Sequence, residues 1–266
     1  MKIKKILIVI PSYNCEKQIK RVINKLNKNL KTIRGIKFTI LIIDNVSKDN
    51  TLRESIKSIK KISSNNQQYL VIKNKKNYGL GGSQKIGFKF AYKNRFNFTI
   101  VLHGDDQADS NDIKKFIKIL NNNNNIDAIL GSRFLESSRI KQYSLLRKVA
   151  NFGLNYIYSI YLNNNISDLG SGLNLFKVDK NLINALDNFS SDCTFNVYLL
   201  IYLVKKKNKI IWSSISWEEV DQISNVNNLK IGSQIIYILI KDFFNFNTKF
   251  NQTRTYKIIF KKNSKN

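Results

Sequence analysis

Cysteine, proline and histidine are scarce in this sequence, and the scarcity of cysteine already excludes one class of protein. The 266 residues include two cysteines, one proline and one histidine. Two cysteines as far apart as Cys15 and Cys193 cannot form a disulfide framework, which favours a reducing, cytoplasmic compartment. The chain is therefore not expected to be a small disulfide-rich secreted protein.

Long hydrophobic runs are also absent. The apolar stretch near the N-terminus covers only Ile6 to Ile10 before Pro11, which is shorter than the core of a signal peptide. The segment 235–240 comes nearest to a membrane span, but it is far below the roughly 20 residues that a spanning helix needs. With 42% hydrophobic residues the chain can still bury a sizeable core. We therefore expect a soluble or peripheral protein.

Acidic residues are few, and the balance of charge is strongly positive. The 18 acidic residues face 45 lysines and arginines, which gives a formal net charge of +27. Such a charge suits nucleic acid, anionic lipid or phosphorylated ligands as partners. The lysines, however, are spread over the whole chain together with many asparagines and isoleucines, and no arginine-rich arm is present. This pattern indicates a compositional bias with a solvated basic surface, while attraction to an anionic membrane stays open.

Apolar runs alternate with helical patterns along the first 162 residues. The run that ends at Pro11 precedes a helical pattern over 16–30. Further strands are predicted at 38–45, 69–74, 98–104 and 127–134, each followed by a predicted helix, at 49–62, 82–94, 110–120 and 145–162. Such alternation predicts an α/β protein with a Rossmann-like, mostly parallel sheet and helices on both faces.

Beyond residue 162 the alternation is looser. A turn-rich segment at 163–178 precedes a predicted helix near 193–205, a strand at 209–217 and a C-terminal helix near 229–246. No linker rich in proline or glycine separates the two parts, so we expect a single domain.

Four predicted strands end in polar clusters, which read PSYNCE, DNVSKDNT, KKNYGLGG and HGDDQAD. Ligands of parallel sheets bind beyond the carboxyl ends of the strands, so these clusters converge on one site. The acids of the fourth cluster repel one another unless a positive group lies among them. Oxygen ligands with one imidazole suit Mg²⁺ or Mn²⁺, which usually complete their coordination with substrate phosphates. The predicted metal ligands are Asp105, Asp106, Gln107 and His103, with a packing role as the alternative for His103.

Six motifs follow one another in a familiar order: VIPSYNCE, LIIDNVSKDNT, NYGLGG, LHGDDQAD, GSRF and DLGSG. Over residues 5–225 the sequence resembles the family two glycosyltransferases, especially the branch that transfers sugars to dolichyl or polyprenyl phosphate. The resemblance implies a GT-A fold and an inverting transfer from a nucleotide-diphosphate sugar. It also implies a catalytic domain over 1–226, with a donor half to about residue 135 and an acceptor half beyond it. A helical extension and basic tail would then occupy 227–266.

The resemblance assigns roles to individual residues. Asp105 matches the last acid of the family's Asp-x-Asp metal motif, whereas His103 replaces the first, and Cys15 stands where the family usually has an acid. Glycines in NYGLGG would let the backbone approach the donor, with a helix-starting turn as the alternative for Gly79. The residues expected to bind the nucleotide sugar are Pro11, Tyr13, Asn14, Glu16, Asp44, Asn45, Asn77, Gly79, Gly82, Lys85, Gly104 and Asp105.

The acceptor side is expected to include Arg133, Asp168, Gln222 and Ser224. Arg133 resembles the arginine that faces phosphate groups, a role that suits its planar fork of donors, and a surface ion pair is the alternative. Asp168 matches the acceptor-side loop. Gln222 and Ser224 lie in the segment that replaces the family's usual Arg-x-x-Gly-x-Ser stretch, and they are expected to contact phosphate or acceptor there.

The chemistry depends on the acceptor. A lipid phosphate is already an anion and needs no strong base, whereas a glycan hydroxyl must lose a proton to a carboxylate. The candidate catalytic acids and bases are Asp105, Asp192, Glu219 and Asp221. The broad aromatic and aliphatic face of helix 145–162 suits docking at the inner face of a membrane, directly or through a membrane partner, and a core helix is the alternative.

The donor is expected to be UDP- or GDP-linked, and the acceptor polyprenyl phosphate or a cell-surface glycan precursor. Two other functions stay open at this point: a nucleotidyltransferase acting on sugar phosphates, and a basic nucleic-acid-binding module. The second is disfavoured because acids at the binding edge repel nucleic-acid phosphates, so we expect no nucleic acid partner.

Overall fold

The computed structural model describes residues 4–63, 67–123, 125–221, 228–245, 250 and 252–264. A central sheet of eight strands dominates these residues, in the order β10-β3-β2-β1-β4-β7-β5-β8. Its strands are β1 (Lys4–Ser12), β2 (Ile36–Asp44), β3 (Gln68–Asn74), β4 (Phe98–Leu102), β5 (Ala128–Ser132), β7 (Leu173–Lys177), β8 (Ile210–Ser214) and β10 (Tyr256–Lys262). A second, two-stranded parallel sheet pairs β6 (Arg139–Lys141) with β9 (Ser216–Glu218).

Helices follow the strands in chain order. They are α1 (Glu16–Leu30), α2 (Thr51–Lys61), α3 (Gly79–Lys93), α4 (Ile113–Asn122), α5 (Leu145–Leu162), α6 (Lys180–Ala185), α7 (Phe195–Lys205) and α8 (Asn228–Phe243). Among the described residues, no helix is both long and apolar enough to cross a membrane.

Strand β1 shows why helices cover both faces of the sheet. All residues from Ile6 to Ile10 are fully buried, which a central strand with two covered faces requires. Ile6, Ile8 and Ile10 share a core with α1 and α4, whereas Leu7 and Val9 pack in a separate core with α3. Alternate side chains of one apolar run therefore serve two layers of helices, and the predicted fold class is confirmed.

The structure departs from the predicted elements in its second half and at the C-terminus. β7 lies in the segment predicted as turns, and it is inserted antiparallel between β4 and β5. The expected basic tail forms β10, which pairs antiparallel with the edge strand β3. The run at 209–217 is divided into β8 and β9, and β4 and β5 each end two residues earlier than predicted.

These differences have a common cause. β7 and β10 are short segments whose pairing partners are far away in sequence, so local patterns carry little information about them. The same sheet contains strands from both the expected donor half and the expected acceptor half. The functional division at about residue 135 stays a prediction.

Candidate active site

The loops that follow β1 and β2 are bound to each other at the carboxyl edge of the sheet. Asn14 adopts a left-handed backbone conformation with φ of 48°, which asparagine tolerates better than most residues. Its Oδ1 accepts a hydrogen bond from the amide of Lys48 at 2.8 Å, and its own amide donates to Ser47 Oγ at 3.2 Å. Glu16 Oε2 accepts from the amide of Asn50 at 2.9 Å. Asn14 and Glu16 thus shape the edge of the site, and their contacts with a donor stay predictions.

Asn45 joins the loops after β2 and β3. Its Nδ2 donates to Asn77 Oδ1 at 2.7 Å, while its Oδ1 accepts from Asn74 Nδ2 at 2.8 Å and from the amide of Tyr78 at 2.9 Å. Asn77 Oδ1 also accepts from the amide of Gly79 at 2.9 Å. The structure therefore brings Asn45 and Asn77 together, and their hydrogen bond links the loop after β2 to the loop after β3. Of the residues predicted beside them, Pro11 lies within β1 and Tyr13 is partly exposed at the same edge.

Asp44 is the buried carboxylate of this edge. It ends β2 opposite Ser12 of β1 and is 1% exposed. One carboxylate oxygen accepts from the amide of Ser47 at 3.3 Å, but Oδ2 is buried without a hydrogen-bond partner among the described residues. A buried acceptor left without a donor costs about 1–3 kcal/mol, so the position suits a donor group supplied by a ligand.

Cys15 lies beside this edge and adds no charge to it. Burial raises the pKa of its thiol to about 12, so the side chain stays protonated at neutral pH. The substitution of a cysteine for the family's usual acid leaves the loop less negative than the resemblance implies.

The loop after β4 places Gly104 and His103 against β1 and the segment before β7. The amide of Gly104 donates to the carbonyl of Pro11 at 3.1 Å, and a Cβ at residue 104 would lie 2.6 Å from Ser12 Oγ. The amide of His103 donates to the carbonyl of Gly172 at 3.2 Å. Nε2 of His103 is buried with no hydrogen-bond partner among the described residues. Burial lowers the pKa of His103 against the opposing effect of Asp105, so the ring is neutral at neutral pH.

The two acids of this loop have different surroundings. Asp105 Oδ1 accepts weakly from the amide of Gln107 at 3.4 Å, and its charge acts on both His103 and Cys15. Asp106 instead pairs with Arg21 Nε at 2.7 Å and with Lys25 Nζ at 3.0 Å. Arg21 and Lys25 could not be singled out from the sequence, since basic residues spaced by one helical turn are common in this chain. Asp106 is thus occupied by cations of the protein itself, and its predicted role as a metal ligand stays a prediction.

The loop offers a modest set of metal ligands. No group of three or more histidine, cysteine, aspartate or glutamate side chains converges anywhere in the described parts of the chain. The Asp105 carboxylate and the neutral, unpartnered Nε2 of His103 fit an Mg²⁺ or Mn²⁺ ion that takes its other ligands from a diphosphate and water. The amide of Glu218 donates to the carbonyl of Gln107 at 2.9 Å, which fixes the backbone beside these two residues.

The glycines of NYGLGG allow a close approach of protein to protein. Gly79 has φ of +76° and begins α3, and a Cβ there would overlap the backbone oxygen of Ser191. The amides of Gly81 and Gly82 donate to the carbonyls of Asp192 and Ser191 at 3.1 and 2.9 Å. Packing against this segment explains why glycine is needed, and donor contacts by Gly79 and Gly82 stay predictions.

Lys85 lies deep beneath the same segment. It is fully buried, and its ammonium donates to the carbonyl of Phe189. Burial lowers the pKa of Lys85 from 10.5 to about 8, and the positive charge of Arg254 acts in the same direction. Its surroundings are those of a packed interior, and its role in donor binding also stays a prediction.

Arg133 and Asp168 pair with each other on the expected acceptor side. Two parallel hydrogen bonds, Nε to Oδ2 and Nη2 to Oδ1, both measure 2.8 Å. The guanidinium also lies 5.1–5.5 Å from the ring centres of Phe134, Tyr143 and Trp217. Burial acts to lower the pKa of Arg133, but Asp168 outweighs it and raises that pKa above its ordinary value. The sequence placed both residues on the acceptor side without indicating that they form a buried pair.

The three candidate bases other than Asp105 are engaged with neighbouring groups. Asp221 accepts from Arg21 at 2.7 and 3.0 Å, and this bonding lowers the pKa of the Asp221 carboxyl. Glu219 pairs with Arg147 at 2.6 Å, and Asp192 accepts from the amide and hydroxyl of Thr194 at the start of α7. The predicted residues Gln222 and Ser224 lie outside the described residues.

Curated relatives resemble the chain over nearly its whole length. A UDP-N-acetylglucosamine--dolichyl-phosphate N-acetylglucosaminyltransferase of Methanococcus voltae is 29% identical over 250 residues, which are 89% of this chain and 95% of the relative. A dolichyl-phosphate beta-glucosyltransferase of Saccharomyces cerevisiae is 26% identical over 246 residues, covering 87% and 73% of the two chains.

Solved structures share the fold. Glucosyl-3-phosphoglycerate synthase from Mycobacterium tuberculosis, in complex with Mn²⁺, UDP and glucosyl-3-phosphoglycerate, matches 90% of this chain and 79% of its own. The TM-score is 0.63 at 11% sequence identity. This likeness supports the GT-A architecture of the sheet and helices.

Sequence comparison with protein families gives the decisive assignment. The model described as glycosyl transferase family 2 matches residues 7–182, a segment that contains every loop of the edge formed by β1, β2, β3 and β4. This match replaces the nucleotidyltransferase and the nucleic-acid-binding module as interpretations. The chain is a glycosyltransferase and belongs to glycosyl transferase family 2.

Proposed function

We propose that this glycosyltransferase moves a sugar, with inversion, from a UDP- or GDP-linked donor to an acceptor, with Mg²⁺ or Mn²⁺ at Asp105. One observation is the main support: within the part of the chain that the structure describes, Asp44 Oδ2 and His103 Nε2 are buried without a hydrogen-bond partner at the ends of the two strands that flank β1. A donor with hydrogen-bonding groups on its nucleoside and a metal on its diphosphate would satisfy both atoms.

Each part of the edge has a task in this proposal. The buried carboxylate of Asp44 accepts a hydrogen bond from the nucleoside, while Asn45 and Asn77 keep the two adjoining loops in place. Asp105 and His103 would hold the metal, which supplies positive charge to the departing diphosphate. Gly104 lets this loop lie directly on β1, so that the nucleoside and diphosphate positions are adjacent.

The acceptor is proposed to be a lipid phosphate, with a glycan precursor as the alternative. A hydroxyl acceptor needs a carboxylate free to take its proton, but Asp221 is bound by Arg21, Glu219 by Arg147 and Asp192 by Thr194. A phosphate is already an anion and needs no such base. The relatives from Methanococcus voltae and Saccharomyces cerevisiae are both dolichyl-phosphate transferases, which agrees with this choice. We place the reaction on the cytoplasmic face of a membrane.

Nucleotide binding tests the donor site. Thermal unfolding with UDP or GDP should show stabilisation only when Mn²⁺ or Mg²⁺ is present, by about 2.7 kcal/mol at a hundredfold excess over Kd. Asp105→Asn should abolish this metal-dependent stabilisation. The matched control is Asp109→Asn, which makes the same change of charge at an exposed capping position of the same loop and should retain it. Equal nucleotide affinity in wild type and Asp105→Asn would show that the site is wrong.

Product analysis tests the acceptor. Labelled UDP- and GDP-sugars are incubated with and without polyprenyl phosphate, and the label that moves into an organic extract is measured. Transfer to the lipid is the expected result. Transfer only to soluble glycans would contradict the proposed lipid acceptor while leaving the donor site in place.

A further inference from the structure

Two helices carry most of the large hydrophobic side chains that the fold leaves exposed. Among the described residues there are seventeen such side chains, of which seven lie on α5 and five on α8 and the residue after it. Leu145 and Leu146 are 74% and 78% exposed, and Tyr156 is 68% exposed. Scattered exposed hydrophobic residues are normal, whereas a cluster on adjacent elements marks an interaction surface.

The exposed side of α5 is apolar throughout. At 3.6 residues per turn, the exposed large residues share one side of the helix, and Ala150 and Gly153 complete it. Lys148 is the exposed charged side chain of α5, and by helical geometry it lies at the border of that side. The opposite side is packed into the protein, where Asn155 and Tyr158 are buried. A helix at the surface of a water-soluble protein normally turns its polar side to solvent and its apolar side to the core.

Helix α8 continues this surface. Its exposed side carries Ile236, Tyr237, Ile240 and Phe243. The Tyr158 hydroxyl of α5 donates to the carbonyl of Ile235 at 2.7 Å, and the ring centres of Tyr161 and Phe243 lie 6.3 Å apart. The two exposed sides therefore border each other. We call this combined surface the α5–α8 face: Leu145, Leu146, Val149, Phe152, Tyr156, Ile157, Ile160, Ile236, Tyr237, Ile240 and Phe243.

The charges around the α5–α8 face distinguish between its possible occupants. α5 carries no acid and two basic residues, Lys148 and Arg147, of which Arg147 pairs with Glu219 at 2.6 Å. α8 has a single acid, Asp242, which pairs with Lys205 at 2.8 Å. The whole chain has a net charge of +27. A second copy with the same charge would be repelled, whereas an anionic bilayer surface attracts lysines at about 1 kcal/mol each.

We propose that the α5–α8 face binds the surface of an anionic lipid bilayer, with both helices lying in the plane of the interface. The apolar side chains would enter the boundary between headgroups and acyl chains, and the basic residues at the border would meet anionic headgroups. Helix α5 cannot leave this plane to span the bilayer without exposing Asn155 and unpacking Tyr158.

The α5–α8 face adjoins the acceptor side of the candidate site. The ring of Phe152 lies 5.0 Å from that of Phe134, which follows Arg133 in the chain. Arg147 stacks on Tyr143 at 4.4 Å, and Tyr143 also lies against Arg133. A lipid phosphate could thus reach the Arg133 region with its chain still in the bilayer; this route rests on the proposed function, whereas the binding to bilayers does not.

Vesicle flotation tests the proposal without donor or acceptor. Vesicles of phosphatidylcholine are compared with vesicles that also contain about a quarter phosphatidylglycerol. Wild type should float with the anionic vesicles. The double variant Leu146→Glu/Ile160→Glu should bind them at least about tenfold more weakly, because two charges would enter the apolar boundary. Tyr92→Glu/Ile258→Glu changes two exposed residues elsewhere by the same charge and should lose far less.

A second pair of variants tests the border charges. Lys148→Glu should weaken binding to anionic vesicles more than Lys118→Glu, which makes the same change in net charge on α4. Lys148→Glu and Lys118→Glu could instead lose equal amounts of vesicle binding, and so could the two double variants. Either result would overturn the proposal in favour of diffuse attraction by charge. Absence of vesicle binding would also overturn it.

Sedimentation equilibrium covers the other occupant. A dimer that dissociates in Leu146→Glu/Ile160→Glu would show that a second copy covers the face. Retention of metal-dependent UDP stabilisation in this variant, together with loss of vesicle binding, would separate the membrane surface from the donor site. Vesicle binding without any nucleotide binding would count against the proposed function alone.

Discussion

The guanidinium of Arg133 and the carboxylate of Asp168 form a bidentate ion pair that is almost completely withdrawn from water. The side chains are 5% and 0% exposed, and the amide of Arg133 adds a third bond to the same carboxylate at 3.0 Å. Such a pair positions both residues firmly, and it makes either one expensive to remove because the other charge remains buried.

Loss of the negative partner should therefore destabilise the fold strongly. Asp168→Asn leaves the buried guanidinium without a compensating charge and should lower the free energy of unfolding by about 3–5 kcal/mol in urea denaturation. The double variant Arg133→Met/Asp168→Leu removes both charges. Its loss in the free energy of unfolding should be smaller than the sum of the losses in Arg133→Met and Asp168→Leu. Strict additivity would contradict the coupling inferred here.

Arg21 connects two acids from distant parts of the chain, Asp106 and Asp221. Arg21→Gln should lower the free energy of unfolding by about 1–2 kcal/mol, a figure reduced because Arg21 is partly exposed to solvent. Lys25→Gln removes only one ion pair with Asp106 and should cost less in the same urea titration. An equal loss in the two variants would show that the link to Asp221 contributes nothing.

The Arg21 contribution should depend on pH with a definite sign. Hydrogen bonding to Arg21 lowers the pKa of Asp221 below its ordinary 3.8 in the folded protein. The stabilisation is therefore present above that value and is lost as the pH falls through the lowered pKa. The difference in unfolding free energy between wild type and Arg21→Gln should shrink on acidification. A difference that grows in acid would contradict this assignment.

Lys85 should make the protein more stable as the pH rises. Its pKa is about 8 in the folded state against 10.5 when unfolded, so between these values the unfolded chain binds more protons and stability increases with pH. Lys85→Met should raise the free energy of unfolding at pH 7 by about 2–3 kcal/mol. This figure is the free energy that corresponds to the pKa shift minus the contribution of the lost hydrogen bond to Phe189.

The advantage of Lys85→Met should fade towards pH 10, where wild-type Lys85 is neutral in the folded state. Urea titrations at neutral and alkaline pH measure this. Nucleotide affinity should be retained if Lys85 acts only in packing. A variant that loses metal-dependent UDP binding while gaining stability would instead support the predicted donor role.

Two glycines offer a matched comparison. Gly79→Ala places a Cβ on the Ser191 backbone at a left-handed φ, and it should lower the free energy of unfolding by about 2–4 kcal/mol. Gly153 lies in α5, where an added Cβ would have nothing within 4 Å. Gly153→Ala should therefore raise the free energy of unfolding by about 0.5–1 kcal/mol. Thermal unfolding of both variants measures the two changes in stability. Destabilisation by Gly153→Ala would show that the exposed side of α5 is covered.

The sequence indicated which loops meet at the edge of the sheet, but not how their side chains bond to one another. The polar loops at the strand ends and the family membership follow from ordered motifs, and the structure does bring the loops after β1 and β2 together. Asp105 and Asp106 are adjacent in sequence and alike in chemistry, yet Arg21 and Lys25 form their ion pairs with Asp106. No local pattern could separate them.

The alternation of elements in the first half follows from local sequence patterns, because burial on two faces requires a continuous apolar run in β1 and burial on one face requires the periodic pattern of α1. Long-range contacts instead account for the antiparallel insertion of β7, the pairing of β10 with β3 and the ion pair of Arg133 with Asp168. These features depend on contacts between residues far apart in the chain, whose energies come from geometry and burial that no short segment contains.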